Sequence, residues 1–456
     1  GRVARVERVE AKTLFTRWLD AFNAGDAAGL AAFGAHLTPE LARDFPGADE
    51  QLGFREQTGG FDVKTTEAST PPRFVAIVKE REGDQFARVV LELDASNRVR
   101  HFDISVVPVP AEYKPAPLSE ADAIAALQAE LDALVAKDRF SGAVLVAKHG
   151  KPIFARAYGM ADRERKIANT LETRFRIGSM NKMFTATAIL KLVQAKKLAL
   201  DDTVGKHLPD YPNQDVATKV TIHHLLTHSG GTGDIFGPDY DARRLELRTL
   251  ADYVKLYGSR ELLHEPGQDE RYSNYGFVLL GVIIEKVTKK TYYDHVHASI
   301  FKPAKMRSTS SPFEDKPMAG RSIAYTRQPG GTSPAAWTDA KDTLPIRATS
   351  AGGGDSTVGD LLAFASALTA NKLLDKKHTE LLTARKTGVP EGGYAYGFGT
   401  SDVDGVRCIG HGGGAPGMNG DLQICDSGYT IVVLANMDPP AAGRVSRFIK
   451  ARLPAP

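Results

Sequence analysis

The chain has 456 residues, more than one ordinary hydrophobic core supports, which predicts two or three domains. Its 42% apolar and 25% charged residues are typical of a soluble globular protein, and 58 basic against 55 acidic residues give a net charge of only +3. Without a dense Lys/Arg run, nucleic-acid binding and membrane-surface binding are both disfavoured. No apolar run approaches the roughly 20 residues that span a bilayer.

Residues 1–107 are predicted to form a small α+β module. Apolar residues recur at helical spacing from Phe15 to Phe22, which predicts an amphipathic helix that Gly25 ends. Asp26 is predicted to cap a second helix. Three strand-like runs follow: Arg73–Glu80, Gln85–Leu93 and Arg98–Val107. This order resembles the nuclear-transport-factor-like cone fold, and the resemblance, which carries no motif, implies an accessory role beside a catalytic domain.

Residues 108–117 contain four prolines, which predicts a semi-rigid extended linker. A second domain is then expected to cover residues 118–456. Ser119 is predicted to cap its first helix. Two strands, Gly142–Lys148 and Pro152–Tyr158, follow around a tight turn, and a long helical region occupies the middle of the chain.

A buried helix is predicted to open with Ser179 and Lys182, which stand three residues apart. Residues at i and i+3 share one helical face, so the lysine nitrogen can reach the serine oxygen. A serine hydroxyl is a weak nucleophile until a neighbouring base takes its proton. A charged lysine on an apolar helix is costly unless it has partners or a role. Ser299 and Lys302 repeat the spacing just before Pro303, and this pair is predicted to be a surface coincidence.

Two later stretches carry further candidate residues. Tyr272-Ser-Asn274 closely follows Glu265-Pro-Gly267, and His411-Gly-Gly413 lies on a predicted strand with a glycine-rich end. Because strands come from both ends of the domain with helices between them, they predict one antiparallel sheet flanked by helices. The strands expected near the end of the chain are Tyr396–Thr400, Val406–His411, Asp421–Cys425 and Thr430–Ala435.

The three motifs, S-x-x-K at 179–182, Y-x-N at 272–274 and H-x-G at 411–413, follow one another in a characteristic order. With them the chain resembles the serine hydrolases of the penicillin-binding protein and class C β-lactamase group, from about residue 118 to residue 456. The resemblance implies an α+β fold of the β-lactamase/DD-peptidase type, in which helices flank an antiparallel sheet and form an additional helical region. It also implies acyl-enzyme chemistry without a metal or an organic cofactor.

The resemblance assigns roles to the motif residues. Ser179 would attack a carbonyl, and Lys182 would act as its base, although its reference pKa of about 10.4 must fall for this. Tyr272 would pass a proton to the leaving group. Asn274 would hold Lys182 and donate to a substrate carbonyl. The backbone N–H groups of Ser179 and Gly414 would form the oxyanion hole.

His411 stands where most class C β-lactamases carry lysine, and with Gly413 it is expected to contact substrate. A lysine there recognises a carboxylate as a permanent cation, whereas a histidine is expected to titrate near neutrality. H-x-G is common in the DD-peptidases, D-aminopeptidases and esterases of the group, so strong β-lactamase activity is not expected. Glycines 412–414 are expected to let the strand edge approach the substrate closely.

Some stretches imitate functional motifs. Tyr211-Pro-Asn213 also fits Y-x-N, but its proline predicts a turn. Lys386-Thr-Gly388 spells the lysine form of the third motif, yet it precedes the Tyr396 strand and is predicted to be a loop with a solvated lysine. His224 and His228 stand four apart, and without a neighbouring glutamate of the HExxH kind they are predicted to pack rather than to bind a metal.

The sequence therefore predicts a serine hydrolase acting on an ester or amide, with a carboxylic-ester hydrolase favoured. A DD-carboxypeptidase or D-amino-acid peptidase remains an alternative, with weak β-lactam hydrolysis possible beside either. A penicillin-binding scaffold or sensor is the non-enzymatic alternative. Expected partners are a small-molecule ester, a D-amino-acid peptide or a β-lactam, and the oligomeric state stays open.

Two cysteines, Cys408 and Cys425, fall on neighbouring predicted strands. They form a cross-strand disulfide in an oxidising compartment or remain two small core residues. The chain starts at Gly1 without a signal region, which fits a trimmed chain or a mature exported protein. A periplasmic or secreted location is expected, with a cytoplasmic one as the alternative.

Overall fold

The computed structural model describes residues 9–327 and 336–455. Among these residues the chain divides into two compact units, 9–116 with 327 and 336–337, and 117–326 with 338–455. The division at residue 116 falls within the stretch 108–117, which contains a single 3-10 turn at Ala111–Tyr113. No pattern in the sequence indicated that part of the segment around Trp337 would group with the first unit.

The first unit combines helices with a four-stranded antiparallel sheet in the order β1-β2-β3-β4. Its elements are α1 Ala11–Ala24, α2 Ala27–Gly34, α3 Pro39–Asp44, α4 Ala48–Thr58, β1 Phe61–Thr70, β2 Arg73–Glu80, β3 Phe86–Leu93 and β4 Val99–Val107. The three predicted strands are present. Strand β1 was not predicted. Only its first residue, Phe61, is buried, so the strand shows no alternation of apolar and polar residues.

Helix α1 supplies the apolar stripe of this unit. Phe15, Trp18 and Phe22 are buried, and the Phe15 ring lies 4.7 Å from that of Phe74 on β2. Gly25 ends the helix with a φ of 69°, a left-handed conformation that glycine adopts without steric cost. The first helix and its end are therefore as the sequence predicts.

The second unit contains twelve helices among the described residues: α5 Glu120–Ala136, α6 Asn181–Gln194, α7 Val204–His207, α8 Gln214–Lys219, α9 Ile222–Leu226, α10 Pro238–Arg243, α11 Leu250–Tyr257, α12 Asn274–Thr288, α13 Tyr292–Val296, α14 Val358–Thr369, α15 Lys376–Thr383 and α16 Ala441–Arg452. Its strands are β5 Gly142–Lys148, β6 Lys151–Tyr158, β7 Met160–Asp162, β8 Ile167–Ala168, β9 Phe175–Arg176, β10 Tyr325–Thr326, β11 Thr338–Asp339, β12 Asp355–Ser356, β13 Thr387–Val389, β14 Gly392–Tyr394, β15 Gly399–Val403, β16 Val406–Ala415, β17 Met418–Cys425 and β18 Tyr429–Ala435.

One eight-stranded sheet organises this unit, in the order β13-β14-β15-β16-β17-β18-β5-β6. Every neighbouring pair is antiparallel, and strands from both ends of the unit meet where β18 pairs with β5. The predicted antiparallel sheet flanked by helices is confirmed. No helix among residues 9–327 and 336–455 has the length and apolar character needed to cross a membrane.

Two local predictions near the sheet edge are wrong. The strand expected from Tyr396 begins at Gly399, because a tight turn with Gly397 at a φ of 71° occupies the residues before it. The segment at Lys386 is not a loop with a solvated lysine, since β13 forms the sheet edge there. The Lys386 Nζ is partly buried and donates to the carbonyl oxygens of Leu381 and Ala384.

Strand β16 has one edge that is only partly paired. Strand β15 pairs with it from Val406 to Gly410, and beyond Gly410 the described partner of β16 is β17 alone. The remaining edge, residues 411–415, lies next to the turn at the start of α6. A disulfide joins Cys408 to Cys425 across β16 and β17, so of the two states left open by the sequence the structure has the bonded one.

Candidate active site

The site begins at the turn before α6. A 3-10 turn, Gly178–Met180, places Ser179 just before the N-terminus of α6, and Lys182 lies in the first turn of α6. Gly178 has a φ of 53°, and its carbonyl oxygen accepts a hydrogen bond from the Gly353 N–H at 2.9 Å. The Lys182 Nζ then lies 3.1 Å from the Ser179 Oγ, so the i, i+3 spacing brings the two groups into hydrogen-bond contact.

Lys182 is completely buried, with 0% of its side chain surface exposed. Its Nζ contacts three oxygens: the Ser179 Oγ, the Asn274 Oδ1 at 2.7 Å and the Ala351 carbonyl oxygen at 2.6 Å. Burial lowers the pKa of Lys182 to about 7, and the negative charge of Asp234 raises it in partial opposition. This amine is therefore close to half neutral at physiological pH.

The geometry around Lys182 favours the neutral amine as a proton acceptor. An amide oxygen and a backbone carbonyl oxygen only accept hydrogen bonds, so they take the two hydrogens of the neutral nitrogen. The remaining lone pair then points to the third partner, the hydroxyl of Ser179. A hydroxyl group can donate, so the arrangement is suited to removing the proton from the serine.

Tyr272 and Asn274 flank the start of α12. Ser273 caps this helix, with its Oγ accepting from the Gly276 N–H at 2.9 Å, and so fixes both neighbours. The Asn274 Nδ2 donates to the Asp234 Oδ2 at 3.2 Å while its oxygen accepts from Lys182. The predicted contact between Asn274 and Lys182 is thus present, and part of the amide donor capacity is already used.

Tyr272 lies over the same amine. The Lys182 Nζ is 4.6 Å from the centre of the tyrosine ring. Tyr272 remains 47% exposed, and burial of its hydroxyl raises its pKa, although a hydrogen bond with the Ser179 side chain lowers it. The phenol therefore stays protonated at neutral pH and has one side open to an incoming ligand.

Gly413 packs against the serine turn. A Cβ at Gly413 would lie 2.1 Å from the Ile177 carbonyl oxygen and 3.2 Å from the Ser179 nitrogen. A Cβ at Gly178 would lie 3.4 Å from the Gly414 nitrogen, so the backbone nitrogens of Ser179 and Gly414 lie at one contact between turn and strand. This buried glycine leaves room for the turn that carries Ser179, and its contact with substrate stays a prediction.

His411 is engaged at both ring nitrogens. Its Nδ1 lies 2.5 Å from the Gly412 carbonyl oxygen, which can only accept, so Nδ1 carries the hydrogen. Its Nε2 lies 2.9 Å from the hydroxyl of Tyr394 and accepts from it. Burial and the nearby charge of Lys182 lower the pKa of His411 to about 4. The expectation that this histidine titrates near neutrality is therefore wrong.

Residues 125–455 match the protein-family model described as Beta-lactamase, which is well over half of the chain. The chain belongs to the Beta-lactamase family. The β-lactamase/DD-peptidase fold predicted for the second unit is thereby confirmed, and its family is one of serine hydrolases.

Relatives of this Beta-lactamase family chain include a curated protein and solved structures. Protein flp of Staphylococcus aureus (strain MRSA252) is 33% identical over 217 residues, which cover 45% of the chain but only 42% of that relative. A penicillin binding protein from Bacillus halodurans is 30% identical, with a TM-score of 0.63, over 70% of the chain and 99% of that structure. A D-stereospecific amidohydrolase from Streptomyces sp. is 30% identical, with a TM-score of 0.60, over 72% and 98%.

Three further side chains of the Beta-lactamase family site were not predicted. Asp234 holds Asn274, Tyr394 binds His411, and His228 stacks on Tyr272 with ring centres 4.3 Å apart. His228 was noted only for its spacing from His224, and the Tyr-Ser-Asn motif gave no signal for its partner. Burial and the charge of Lys182 hold the pKa of His228 well below its usual value.

The stretches that imitate motifs have other structural roles. Ser299 is partly buried on a π-helical turn, and Lys302 is exposed. The Tyr211 hydroxyl contacts that of Tyr275, 2.7 Å away in the core. Within residues 9–327 and 336–455, no three His, Cys, Asp or Glu side chains form a group that could hold a metal ion. His224 caps α9, where its Nδ1 accepts from the Thr221 N–H.

Proposed function

We propose that the second unit is a serine hydrolase that cleaves a carboxylic ester or amide through an acyl-enzyme on Ser179. The observation that carries the proposal is the buried Lys182 Nζ, 3.1 Å from the Ser179 Oγ, with a pKa lowered to about 7. A general base is most effective when its pKa lies near the working pH, because it is then both unprotonated and able to hold a proton.

In the proposed reaction, Ser179 Oγ forms a bond to the acyl carbon while its proton moves to Lys182. The oxyanion accepts hydrogen bonds from the backbone N–H groups of Ser179 and Gly414, which lie at the contact between turn and strand. Tyr272 relays the proton to the departing alcohol or amine. Water then attacks the acyl-enzyme, releases the acid and returns the proton to Ser179.

Asn274, His411 and Gly413 border this reaction centre. Asn274 is half-buried and orients Lys182, so in the proposal its second amide hydrogen meets the substrate carbonyl. His411 and Gly413 lie on the edge of β16 that approaches the serine turn. Because the pKa of His411 is lowered to about 4, the site offers a neutral ring where a carboxylate-binding enzyme needs a cation. This supports an ester hydrolase over a strong β-lactamase.

A second candidate is hydrolysis of D-amino-acid amides or of peptides ending in D-alanine. Its support is the 30% identity to the D-stereospecific amidohydrolase from Streptomyces sp. over most of the second unit. The two candidates are separated by parallel assays with p-nitrophenyl acetate and a D-Ala-D-Ala peptide. Ester turnover without peptide turnover eliminates hydrolysis of peptides ending in D-alanine, and the reverse result eliminates the ester hydrolase.

The decisive experiment is mass spectrometry of the protein after quenching with p-nitrophenyl acetate or a fluorophosphonate. An adduct on Ser179 is expected, and Ser179→Ala should lose both adduct and turnover. The matched control is Ser299→Ala, which alters the serine with the same lysine spacing and should leave the rate unchanged. An unlabelled Ser179 in folded protein would instead indicate a scaffold or sensor.

For the first unit we propose an accessory role and a cone-like fold of the nuclear-transport-factor type. Its support is the order of helices followed by a four-stranded antiparallel sheet.

For the compartment we propose the periplasm or the exterior of the cell, since the Cys408–Cys425 disulfide is favoured in oxidising surroundings. Fractionation of cells followed by thiol labelling of both cysteines tests this location.

A further inference from the structure

We propose that Tyr394 determines substrate charge at the Ser179 site: by donating to His411 it removes that ring as a carboxylate receptor and directs the site to uncharged acyl groups. This inference rests on the proposed hydrolase function. The Tyr394 hydroxyl lies 2.9 Å from the His411 Nε2, and the Gly412 carbonyl oxygen occupies the hydrogen on Nδ1. With both nitrogens used, the neutral ring has no donor left for an anion.

The tyrosine is well placed to keep this arrangement. Tyr394 packs its ring against His228, with centres 4.7 Å apart, and lies edge-on to His411 at 5.7 Å. Burial raises the pKa of Tyr394 well above its usual value, so its hydroxyl remains a donor. The titratable groups that face or border the His411 ring are Lys182 on α6, His228 after α9, Glu270 and Tyr272 before α12, and Tyr394 on β14.

The surroundings of His411 also disfavour an anion. Tyr394 and His411 line an open groove of about 440 Å³, and the carboxylates of Glu270 and Glu391 line it too. Its lysine, Lys450, donates to the Ser401 Oγ at 2.8 Å and to the Gln423 Oε1 at 3.3 Å. This cation also interacts with Asp421, so its charge is already matched within the protein. A substrate carboxylate in this groove would therefore meet two carboxylates and a lysine whose charge is already matched.

The test compares two p-nitrophenyl esters of equal chain length, p-nitrophenyl hexanoate and mono-p-nitrophenyl adipate, which differ in a terminal carboxylate. The full-length protein should prefer the hexanoate in kcat/KM by about ten- to a hundredfold, the usual effect of a missing hydrogen bond to a charged group. Taking the ratio of the two rates cancels the titration of Lys182, because both esters need the same base.

Tyr394→Phe removes the hydroxyl and frees the His411 Nε2 to bind a proton. The preference for hexanoate should then shrink, and more strongly at pH 5.5 than at pH 8, because a substrate carboxylate beside the freed Nε2 raises the pKa of the ring and only a protonated ring donates from Nε2. The matched control is Tyr396→Phe, whose hydroxyl contacts the His223 Nδ1 at 2.7 Å and not His411. It should keep the wild-type ratio at both pH values.

A second readout does not need turnover. Long-range ¹H–¹⁵N correlation spectra should show His411 of the wild type as the Nδ1–H tautomer, insensitive to added sodium hexanoate at pH 6, while Tyr394→Phe should respond to it. Equal rates on the two wild-type esters, or an unchanged ratio in Tyr394→Phe, would overturn the inference. If no ester is hydrolysed and Ser179 is never labelled, the proposed function fails, and the carboxylate titration alone decides the role of Tyr394.

Discussion

Two lysines of the second unit show why a lowered pKa is not by itself a sign of catalysis. Burial is the main cause of a lowered pKa in both: it lowers the pKa of Lys182 to about 7 and that of Lys386 to about 8. Lys182 shares its Nζ with the Ser179 hydroxyl, which can give up a proton. Lys386 donates to the carbonyl oxygens of Leu381 and Ala384, which cannot.

The difference lies in the partners that the fold supplies. Lys386 spells the literal Lys-Thr-Gly sequence, yet it precedes an edge strand and lies over the ring of Tyr396 at 4.2 Å. Lys182 lies on a helix that is buried almost all round, with its amine aimed at the serine turn. A short motif therefore identifies a base only when its neighbours leave the amine a hydroxyl to deprotonate.

The largest expected effect separates the two lysines. Lys182→Ala should lower kcat for p-nitrophenyl acetate by about 10² to 10⁴, the usual contribution of a general base. Lys386→Ala should keep the rate and lose about 1 kcal/mol of unfolding free energy, because it deletes hydrogen bonds that only hold a turn. Steady-state kinetics and urea unfolding measure both. A comparable rate loss in Lys386→Ala would abolish the distinction.

A smaller effect is expected where β16 meets the serine turn. Gly413→Ala places a Cβ 2.1 Å from the Ile177 carbonyl oxygen, so the turn that carries Ser179 must move. We expect a loss of about 1–3 kcal/mol in stability, as for other overpacked positions, together with reduced acylation. Gly412→Ala is the control, since its nearest atoms are 3.6 Å away. Thermal unfolding and acyl-adduct formation measure the two effects. Equal stability and equal adduct formation in the two variants would contradict this prediction.

The smallest effect is a shift in the pH profile. The charge of Asp234 raises the pKa of Lys182, so Asp234→Asn should lower that pKa and move the acidic limb of kcat/KM to lower pH. Asparagine keeps an oxygen that can accept from Asn274. Asp239→Asn, which removes an exposed charge of the same type, should leave the limb near pH 7. A limb that stays in place in Asp234→Asn would assign the titration to another group.

The sequence predicted the parts of the site that depend on local spacing. Ser179 and Lys182 meet because they share a helical turn. The contact of Asn274 with Lys182, 92 residues away in the chain, was expected only from the resemblance to the family. Helix α1 followed from its helical apolar spacing, and strand β5 from an apolar run that ends at a tight turn.

Other contacts between residues far apart in the chain could not be predicted from the sequence. Tyr394 binds His411 and Asp234 binds Asn274 only because loops and edge strands converge there, and no spacing records that. The lowered pKa of His411 was missed for the same reason, since it arises from burial and from Lys182, which lies far away in the chain. Strand β1 was missed because its surface is nearly all exposed, which leaves no alternation to detect.

The crosslink between Cys408 and Cys425 has a consequence for the chemistry three residues further on. Neighbouring residues of a strand point to opposite sides of the sheet, so a slip of β16 by one position would turn His411 and Gly413 away from Ser179 and bring Gly412 in their place. Glycine-rich strands specify their alignment weakly, since they offer few side chains to lock it. The covalent bond between the paired residues Cys408 and Cys425 fixes the alignment of β16 with β17 before the glycine-rich end begins. The same alignment then holds for the glycines that follow on β16.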